Sequence, residues 1–306
     1  MREVHYELID VFTNNPFGGN QLAVFKDATG LEDEEMQEIT RELNLSEATF
    51  VTRLSKDKAT VRIFTPGREV PIAGHPTIGT GYVLARDEVI ETTDGNNSFF
   101  FEEKIGEISL NLFKQDNKIS IVEMIQPIPN FKAIFKDKTV ISSLLSIDST
   151  DISDSSPMQV VSAGVPFLFV PIKNLTAIKQ IKFKQDVWEK EFLSKGQAID
   201  IFVFTKETVD KSATVHSRMF GPTMGISEDP ATGAASGPLG AYLSYYSLVS
   251  EETSNQYRII SEQGMEMGRP SQILVTVKYT NEKISFVSIA GSSVDVGKGT
   301  IFLMEK

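Results

Sequence analysis

Five side chains beside glycine-rich turns are the candidates for acid/base chemistry in this sequence: Glu47, Glu69, His75, Glu228 and Asp229. Carboxylate and imidazole groups transfer protons when they are held close to a reacting atom. The chain has no cysteine and only three histidines. Thiol nucleophiles, disulfides and cysteine-based metal sites are therefore excluded, and a histidine-rich metal site is not expected. The remaining chemistry is proton transfer by a carboxyl group or an imidazole.

Two of these residues open the same short motif, His/Asp-Pro-x-x-Gly. It occurs at 75–79 and again at 229–233, which is 154 positions later (229 minus 75). Proline suits the first turn of a helix and forces the preceding residue into an extended conformation. Each motif therefore predicts a polar side chain, His75 or Asp229, at the start of a helix.

The segments that follow the two motifs, 76–85 and 231–250, contain no charged residue. A helix without a polar stripe has to be covered on all sides, so both segments predict buried helices. A membrane span is excluded for the second because it is rich in Gly, Ser and Tyr and contains Pro238. If the N-termini of two such helices face one cleft, they can hold a carboxylate and stabilise an enolate-like charge.

Most of the remaining sequence predicts short strands, because β-branched and aromatic residues alternate with turn signals. The exception is 31–43, an amphipathic helix with Met36, Ile39 and Leu43 on one face and acidic residues at its start. The fold class is therefore α+β. The length of 306 residues, together with the repeated motif, indicates two similar lobes, each wrapped around one helix.

The net charge of −11 excludes several classes of partner. An acidic surface repels phosphate backbones and anionic lipids, so neither nucleic acid nor a membrane is expected as a partner. The N-terminal residues alternate like a strand and lack an apolar signal core, so a cytoplasmic location is expected by default.

Several ordered motifs resemble the signatures of PhzF-like isomerases of phenazine biosynthesis. The run DVFTNNPFGGNQLAV at 10–24 resembles the N-terminal signature of that family, and LSEATFV at 45–51 and GHPT at 74–77 follow in order. The later matches are GISEDPATG at 225–233, EQG at 262–264, MGRPS at 267–271 and IAGS at 289–292. They span nearly the whole chain, although roughly 87–210 carries little of the resemblance.

The resemblance implies a diaminopimelate-epimerase-like fold, with two pseudo-symmetric lobes that each curl a mixed sheet around a central helix. It implies an N-terminal lobe of 1–118 plus 292–306, a C-terminal lobe of 119–291, and a substrate site between them. It also implies a cofactor-independent isomerase of a small anionic substrate in which Glu47 removes and returns a proton. His75 and Asp229 would lie opposite Glu47. The residues expected to bind the substrate are His75, Asp229, Asn20, Gly74, Gly233 and Ala234.

One position departs from the family pattern. The phenazine-pathway member has serine directly after the glycine of the Asp-Pro-x-x-Gly motif, whereas this chain has Ala234. The resemblance therefore implies an isomerase without fixing the phenazine precursor as its substrate. It also allows a homodimer, although no segment of the sequence indicates an interface.

Each candidate also has a purely structural interpretation. Glu47, His75 and Asp229 could cap a strand or a helix, and Asn20 could hold a left-handed turn rather than line a cleft. Gly74 and Gly233 are turn glycines by default, and Glu69 and Glu228 are expected to be structural hydrogen-bonding groups. Arg269 could bind a substrate carboxylate but is expected to be solvated. The last two histidines, His5 and His216, are predicted in strands without a function.

Three other functions compete with the isomerase. A two-base racemase of the same fold needs a pair of cysteines, which this chain lacks. A catalytically silent binding protein would use the same polar residues, so it stays an alternative. A metal hydrolase is not expected, because the carboxylates are not spaced as a ligand set around any pair of histidines.

Overall fold

The computed structural model describes residues 1–304 and divides them into two compact units. Unit 1 comprises Met1–Gln126 and the C-terminal segment from Ser288, and unit 2 comprises Pro127–Val287. The first boundary of this division falls after Gln126, and the expected lobe bounds, with a first boundary at 118, stay a prediction. The intervening strand, Lys118–Ile125, pairs along its length with the strand before it in unit 1.

The first ten helices and strands of the chain belong to unit 1. They are β1 (Arg2–Val11), β2 (Asn20–Phe25), α1 (Asp33–Leu43), β3 (Glu47–Leu54), β4 (Lys58–Phe64), β5 (Glu69–Val70), α2 (Gly74–Arg86), β6 (Gly95–Glu103), β7 (Gly106–Gln115) and β8 (Lys118–Ile125). Unit 2 then runs through β9 (Asn130–Ile134), α3 (Lys138–Leu145), β10 (Gln159–Ser162), β11 (Pro166–Pro171), α4 (Leu175–Gln180), α5 (Gln185–Glu191), β12 (Asp200–Thr205), β13 (Val215–Gly221), β14 (Ile226–Asp229), α6 (Gly233–Tyr245), β15 (Gln256–Gln263) and β16 (Ser271–Thr280). The boundary between the units lies within β17 (Lys283–Gly291), and β18 (Ser293–Leu303) completes unit 1.

The sheet of unit 1 surrounds α2. This helix packs against β1, β2, β3, β7, β8 and β18. Eleven of its 13 residues are buried. Its glycines let the strands approach closely: a Cβ on Gly79 would lie 2.6 Å from Leu22 and 2.8 Å from Ile9. The prediction of a buried helix from the absence of charge is therefore confirmed.

Unit 2 has the same arrangement around α6, which packs against β10, β11, β15 and β16. Eleven of its 13 residues are buried. A Cβ on Gly240 would lie 2.6 Å from Val275, so this helix also depends on a glycine for close packing. A second apolar core lies against the sheet under α3, α4 and α5, and includes Leu144, Ile178, Trp188 and Phe192.

The amphipathic helix predicted at 31–43 is α1, and Met36 and Ile39 are buried as expected. Its first turn is stabilised by acidic residues, and Glu35 Oε2 accepts a hydrogen bond of 2.9 Å from the backbone N–H of Glu32. With mixed parallel and antiparallel strand pairs and six helices in the described chain, the α+β class is confirmed.

Candidate active site

Glu47 is the first residue of β3 and lies beside Asn20 at one edge of the sheet in unit 1. The strands β2 and β3 are parallel, so their N-terminal ends meet at the same edge, with Leu22 opposite Glu47. Both candidate side chains are buried, Glu47 being 8% and Asn20 1% exposed. The hydroxyl of Ser46 donates a hydrogen bond of 2.7 Å to Asn20 Oδ1, which ties the residue before Glu47 to β2.

His75, in the first turn of α2, contacts Glu47 directly. The His75 Nε2 atom lies 3.4 Å from Glu47 Oε2. Burial lowers the pKa of the imidazole to about 3, although a hydrogen bond to the backbone of Gln21 favours the protonated form. The ring is therefore neutral at physiological pH. The resemblance placed His75 opposite Glu47, whereas in this structure the two are neighbours within unit 1.

The hydrogen bond to Gln21 decides which tautomer His75 adopts. A backbone bond that raises the pKa of a histidine is accepted by a carbonyl, so a ring N–H donates to Gln21. Within residues 1–304 Nε2 makes no hydrogen bond of good geometry, so the donating atom is Nδ1. The lone pair of Nε2 then faces the Glu47 carboxyl group, and a hydrogen bond between them requires a proton on Glu47.

The first turn of α2 rests on a second buried carboxyl group, Glu103, which the sequence did not single out. Thr77 Oγ1 lies 2.5 Å from Glu103 Oε1 and 2.7 Å from the carbonyl oxygen of Ala73. Burial raises the pKa of Glu103 to about 8, despite the hydrogen bond from Thr77. Its Oε2 atom has no hydrogen-bond partner in the described part of the chain. Glu103 is therefore protonated at neutral pH.

In unit 2, Asp229 ends β14 and lies four residues before α6. The helix begins at Gly233, not at the proline of the motif as the sequence predicted. The intervening residues form a loop that is hydrogen-bonded to β15 instead of joining the helix. Thr232 Oγ1 donates a hydrogen bond of 2.5 Å to Asp229 Oδ2. The two copies of the motif therefore differ, because His75 lies inside its helix and Asp229 lies outside.

Gly74 and Gly233 are each the first residue of their helix, and both are buried. Ala234, the second residue of α6, is partly exposed. The dipole of each helix places partial positive charge at its N-terminus, which favours a negatively charged group near that end. Ala234 has no hydroxyl that could bind a ligand at this position.

The other acidic candidates form ion pairs, as expected for structural residues. Glu69 Oε1 lies 2.8 Å from Arg62 Nε. Glu228 accepts two hydrogen bonds from Arg218, at 2.7 Å and 2.8 Å, and Arg218 also binds backbone carbonyl groups. A bidentate arginine pair of this kind holds a carboxylate in place.

His216 belongs to a buried network that the sequence did not indicate. Its Nδ1 lies 2.8 Å from Glu262 Oε1, and its Nε2 lies 3.1 Å from Glu266 Oε1. Burial lowers the pKa of His216, but the hydrogen bonds to the two glutamates outweigh burial, so the pKa is raised. Glu262 also accepts the backbone N–H groups of Val209 and Asp210. The network fixes this loop of unit 2.

Residues 1–304 contain no group of three or more acidic or histidine side chains that could hold a metal ion. Over the same range, no helix is both long and apolar enough to cross a membrane.

The fold is shared with racemases and epimerases. A probable proline racemase from Agrobacterium radiobacter superposes with a TM-score of 0.65 over 98% of this chain and 93% of its own, at 11% identity. A Bacillus anthracis protein of the PhzF family superposes with a TM-score of 0.89, covering 99% of this chain and 100% of its own at 30% identity. The expected epimerase-like fold is thus confirmed.

The family is shown by the sequence as well. The family model for the phenazine biosynthesis-like proteins (PhzC-PhzF) matches residues 9–299, and the chain belongs to this family. The trans-2,3-dihydro-3-hydroxyanthranilate isomerase of Pseudomonas chlororaphis is 35% identical over 98% of this chain and 99% of its own length. The enzyme of the same name from Pseudomonas aeruginosa is 33% identical over 97% and 99%. The prediction of an isomerase is confirmed, whereas the roles of individual residues stay predictions.

Proposed function

We propose that Glu47 is the general acid/base of a cofactor-independent isomerase acting on a small carboxylate-bearing substrate. The observation that supports this role is the 3.4 Å contact between Glu47 Oε2 and the unprotonated Nε2 of His75. A buried carboxyl group beside a neutral imidazole can release its proton and take one back without forming a stable ion pair. His75 is proposed to position the carboxyl group through this contact.

The proposed reaction moves one proton and one double bond. Glu47 takes a proton from one carbon of the substrate, the electron pair shifts along the conjugated system, and Glu47 returns the proton to another carbon. The substrate gains and loses no electrons overall, so no redox cofactor is required. Negative charge that develops during the shift is stabilised by the helix dipole at the start of α2, whose first turn contacts Glu47 through His75.

Asn20, Gly74, His75, Asp229, Gly233 and Ala234 are proposed to bind the substrate. Gly74 and Gly233 each begin a buried helix, where the helix dipole favours a nearby carboxylate. The polar side chains Asn20 and Asp229 would select groups that donate or accept hydrogen bonds. Because relatives are named for trans-2,3-dihydro-3-hydroxyanthranilate, we propose an amino or hydroxy acid of that class as the substrate. A homodimer and a cytoplasmic location stay predictions.

The test is proton exchange by a Glu47→Gln variant. The wild type is incubated with trans-2,3-dihydro-3-hydroxyanthranilate in D2O, and isomerisation and deuterium incorporation are followed by NMR. We expect Glu47→Gln to lower the rate about a hundredfold or more, because general acid/base catalysis contributes about 10²–10⁴. Glu42→Gln, which changes an exposed carboxylate in α1, is the matched control and should keep the wild-type rate. A Glu47→Gln enzyme that exchanges protons at the wild-type rate would exclude this role.

A further inference from the structure

The side chain of Gln263 connects β15 to the loop that carries Asp229. Gln263 is the last residue of β15 and is fully buried. Its Nε2 donates to the carbonyl oxygen of Asp229 at 2.6 Å and to Thr232 Oγ1 at 3.0 Å. Its Oε1 accepts the backbone N–H of Thr232 at 3.1 Å. All three bonds go to Asp229, the last residue of β14, and Thr232, the residue before α6.

These bonds form a chain with a fixed direction. Thr232 Oγ1 accepts a hydrogen from Gln263, so its own hydrogen is available for Asp229 Oδ2, which lies 2.5 Å away. The amide of Gln263 has no rotation that preserves all three bonds, because exchanging its oxygen and nitrogen would oppose donor to donor at the N–H of Thr232. Gln263 thus sets the orientation of the Asp229 carboxylate through two successive hydrogen bonds, one from Gln263 to Thr232 and one from Thr232 to Asp229.

Two residues that follow Gln263, Gly264 and Ser271, also contact the loop between β14 and α6. Gly264 has φ +82°, and a Cβ there would lie 2.6 Å from the carbonyl oxygen of Pro230. Ser271 Oγ is 3.1 Å from the carbonyl oxygens of both Pro230 and Gln263. Three residues therefore support this loop. The side chain of Gln263 hydrogen-bonds to it, Gly264 lets the backbone approach it closely, and the hydroxyl of Ser271 hydrogen-bonds to it.

We propose that Gln263 is a positioning residue for the reaction, acting through Thr232 to orient Asp229 toward a polar group of the substrate. This inference rests on the proposed function, in which Asp229 binds the substrate. The carboxylate contacts the substrate, whereas Gln263 and Thr232 fix where its oxygens point and where α6 begins. Replacing either residue weakens substrate binding and turnover while the fold is retained.

The experiment measures ligand affinity, turnover and local exchange in four variants: Gln263→Met, Thr232→Val, their double mutant and Thr232→Ser. Affinity is measured by calorimetry with 3-hydroxyanthranilate, the aromatic analogue of the compound named for the relatives, and turnover with trans-2,3-dihydro-3-hydroxyanthranilate. We expect Gln263→Met and Thr232→Val each to lose about tenfold in kcat/KM and in affinity, as for one hydrogen bond. The double mutant should lose little more than either single mutant, because both interrupt one chain. Thr232→Ser keeps the hydroxyl and should restore the wild-type values.

Gln159→Met is the matched control. Gln159 is another buried glutamine of unit 2, and its amide binds the carbonyl oxygen of Lys132 and the hydroxyl of Tyr246 instead of the Asp229 loop. It should lose stability as Gln263→Met does, yet keep its affinity and turnover. Amide hydrogen exchange at Thr232 should be faster in Gln263→Met, which removes the acceptor of that N–H, and unchanged in Gln159→Met.

The outcomes separate this inference from the proposed function. If exchange at Thr232 accelerates in Gln263→Met but affinity and turnover match those of Gln159→Met, Gln263 is only structural and the inference is wrong. Additive losses in the double mutant would also overturn it. If Glu47→Gln remains active, the proposed function fails while the role of Gln263 in binding is still measured by calorimetry. A wild type that binds no such carboxylate overturns both.

Discussion

Replacing Glu103 by glutamine tests whether a neutral carboxylic acid supports the first turn of α2. Burial raises the pKa of Glu103 from 4.5 to about 8, so the folded protein holds a proton that the unfolded chain has released at neutral pH. Wherever the folded state binds more protons, stability falls as the pH rises. The contribution of Glu103 is fully present below pH 4.5 and is lost as the pH rises through about 8.

The size of the effect follows from that difference. A change in pKa from 4.5 to about 8 corresponds to ~5 kcal/mol of unfolding free energy, at about 1.4 kcal/mol for each pH unit. A loss of this size is a large part of the stability of an ordinary domain. Glutamine has the same shape as the protonated carboxyl group and can still bind Thr77, so Glu103→Gln should keep the fold and lose this part of the pH dependence.

The assay is urea unfolding followed by far-ultraviolet circular dichroism at several pH values between 5 and 8. We expect the wild type to lose about 1.4 kcal/mol more per pH unit than Glu103→Gln, since the two proteins differ by one titrating proton. Glu102→Gln is the control, because this neighbouring side chain is 53% exposed and should leave the slope unchanged. Parallel stability curves for the wild type and Glu103→Gln would show that Glu103 is ionised in the folded protein, which would refute this reasoning.

Two further changes test packing and metal dependence. Gly79→Ala should destabilise the protein by about 1–3 kcal/mol in thermal or urea unfolding, because the new Cβ would lie 2.6 Å from Leu22. Gly297→Ala is the control and should have little effect, because the space around Gly297 is open. Equal stability of the two variants would contradict the tight contact of α2. Dialysis against a chelator should leave isomerase activity unchanged, since the proposed chemistry uses only the carboxyl group of Glu47, and activity that returns only on addition of a metal would contradict this mechanism.

The two buried helices could be predicted from the sequence because their signal is local. An uncharged segment that follows a proline and contains several glycines has few structural solutions, and both α2 and α6 were found in this way. By contrast, α3, α4 and α5 were missed because each has only six to eight residues, too few for a clear periodicity. The starts of α3 and α4 could have been predicted from their N-cap residues, Asp137 and Asn174. Both side chains accept hydrogen bonds from the first turn of their helices.

The candidate site was only partly predictable, because its geometry depends on residues distant in sequence. Glu47 and His75 were identified, but their 3.4 Å contact follows from the pairing of β2 with β3 and the packing of α2. Gln263 binds a loop that lies 31 to 34 positions earlier in the chain, and no local sequence pattern predicts that contact. Glu103 ends a strand of ordinary composition, and only the fold shows that its carboxyl group is buried.

The course of the chain through its two units has a consequence for biosynthesis. The first strand, β1, pairs with β2 and also with β18, which follows unit 2 in the chain. Unit 2 is continuous in sequence and can therefore assemble before β18 is made, whereas β1 of unit 1 keeps one unpaired edge until then. The long-range strand pairing that can form only after unit 2 has been synthesised therefore lies in the unit that carries Glu47.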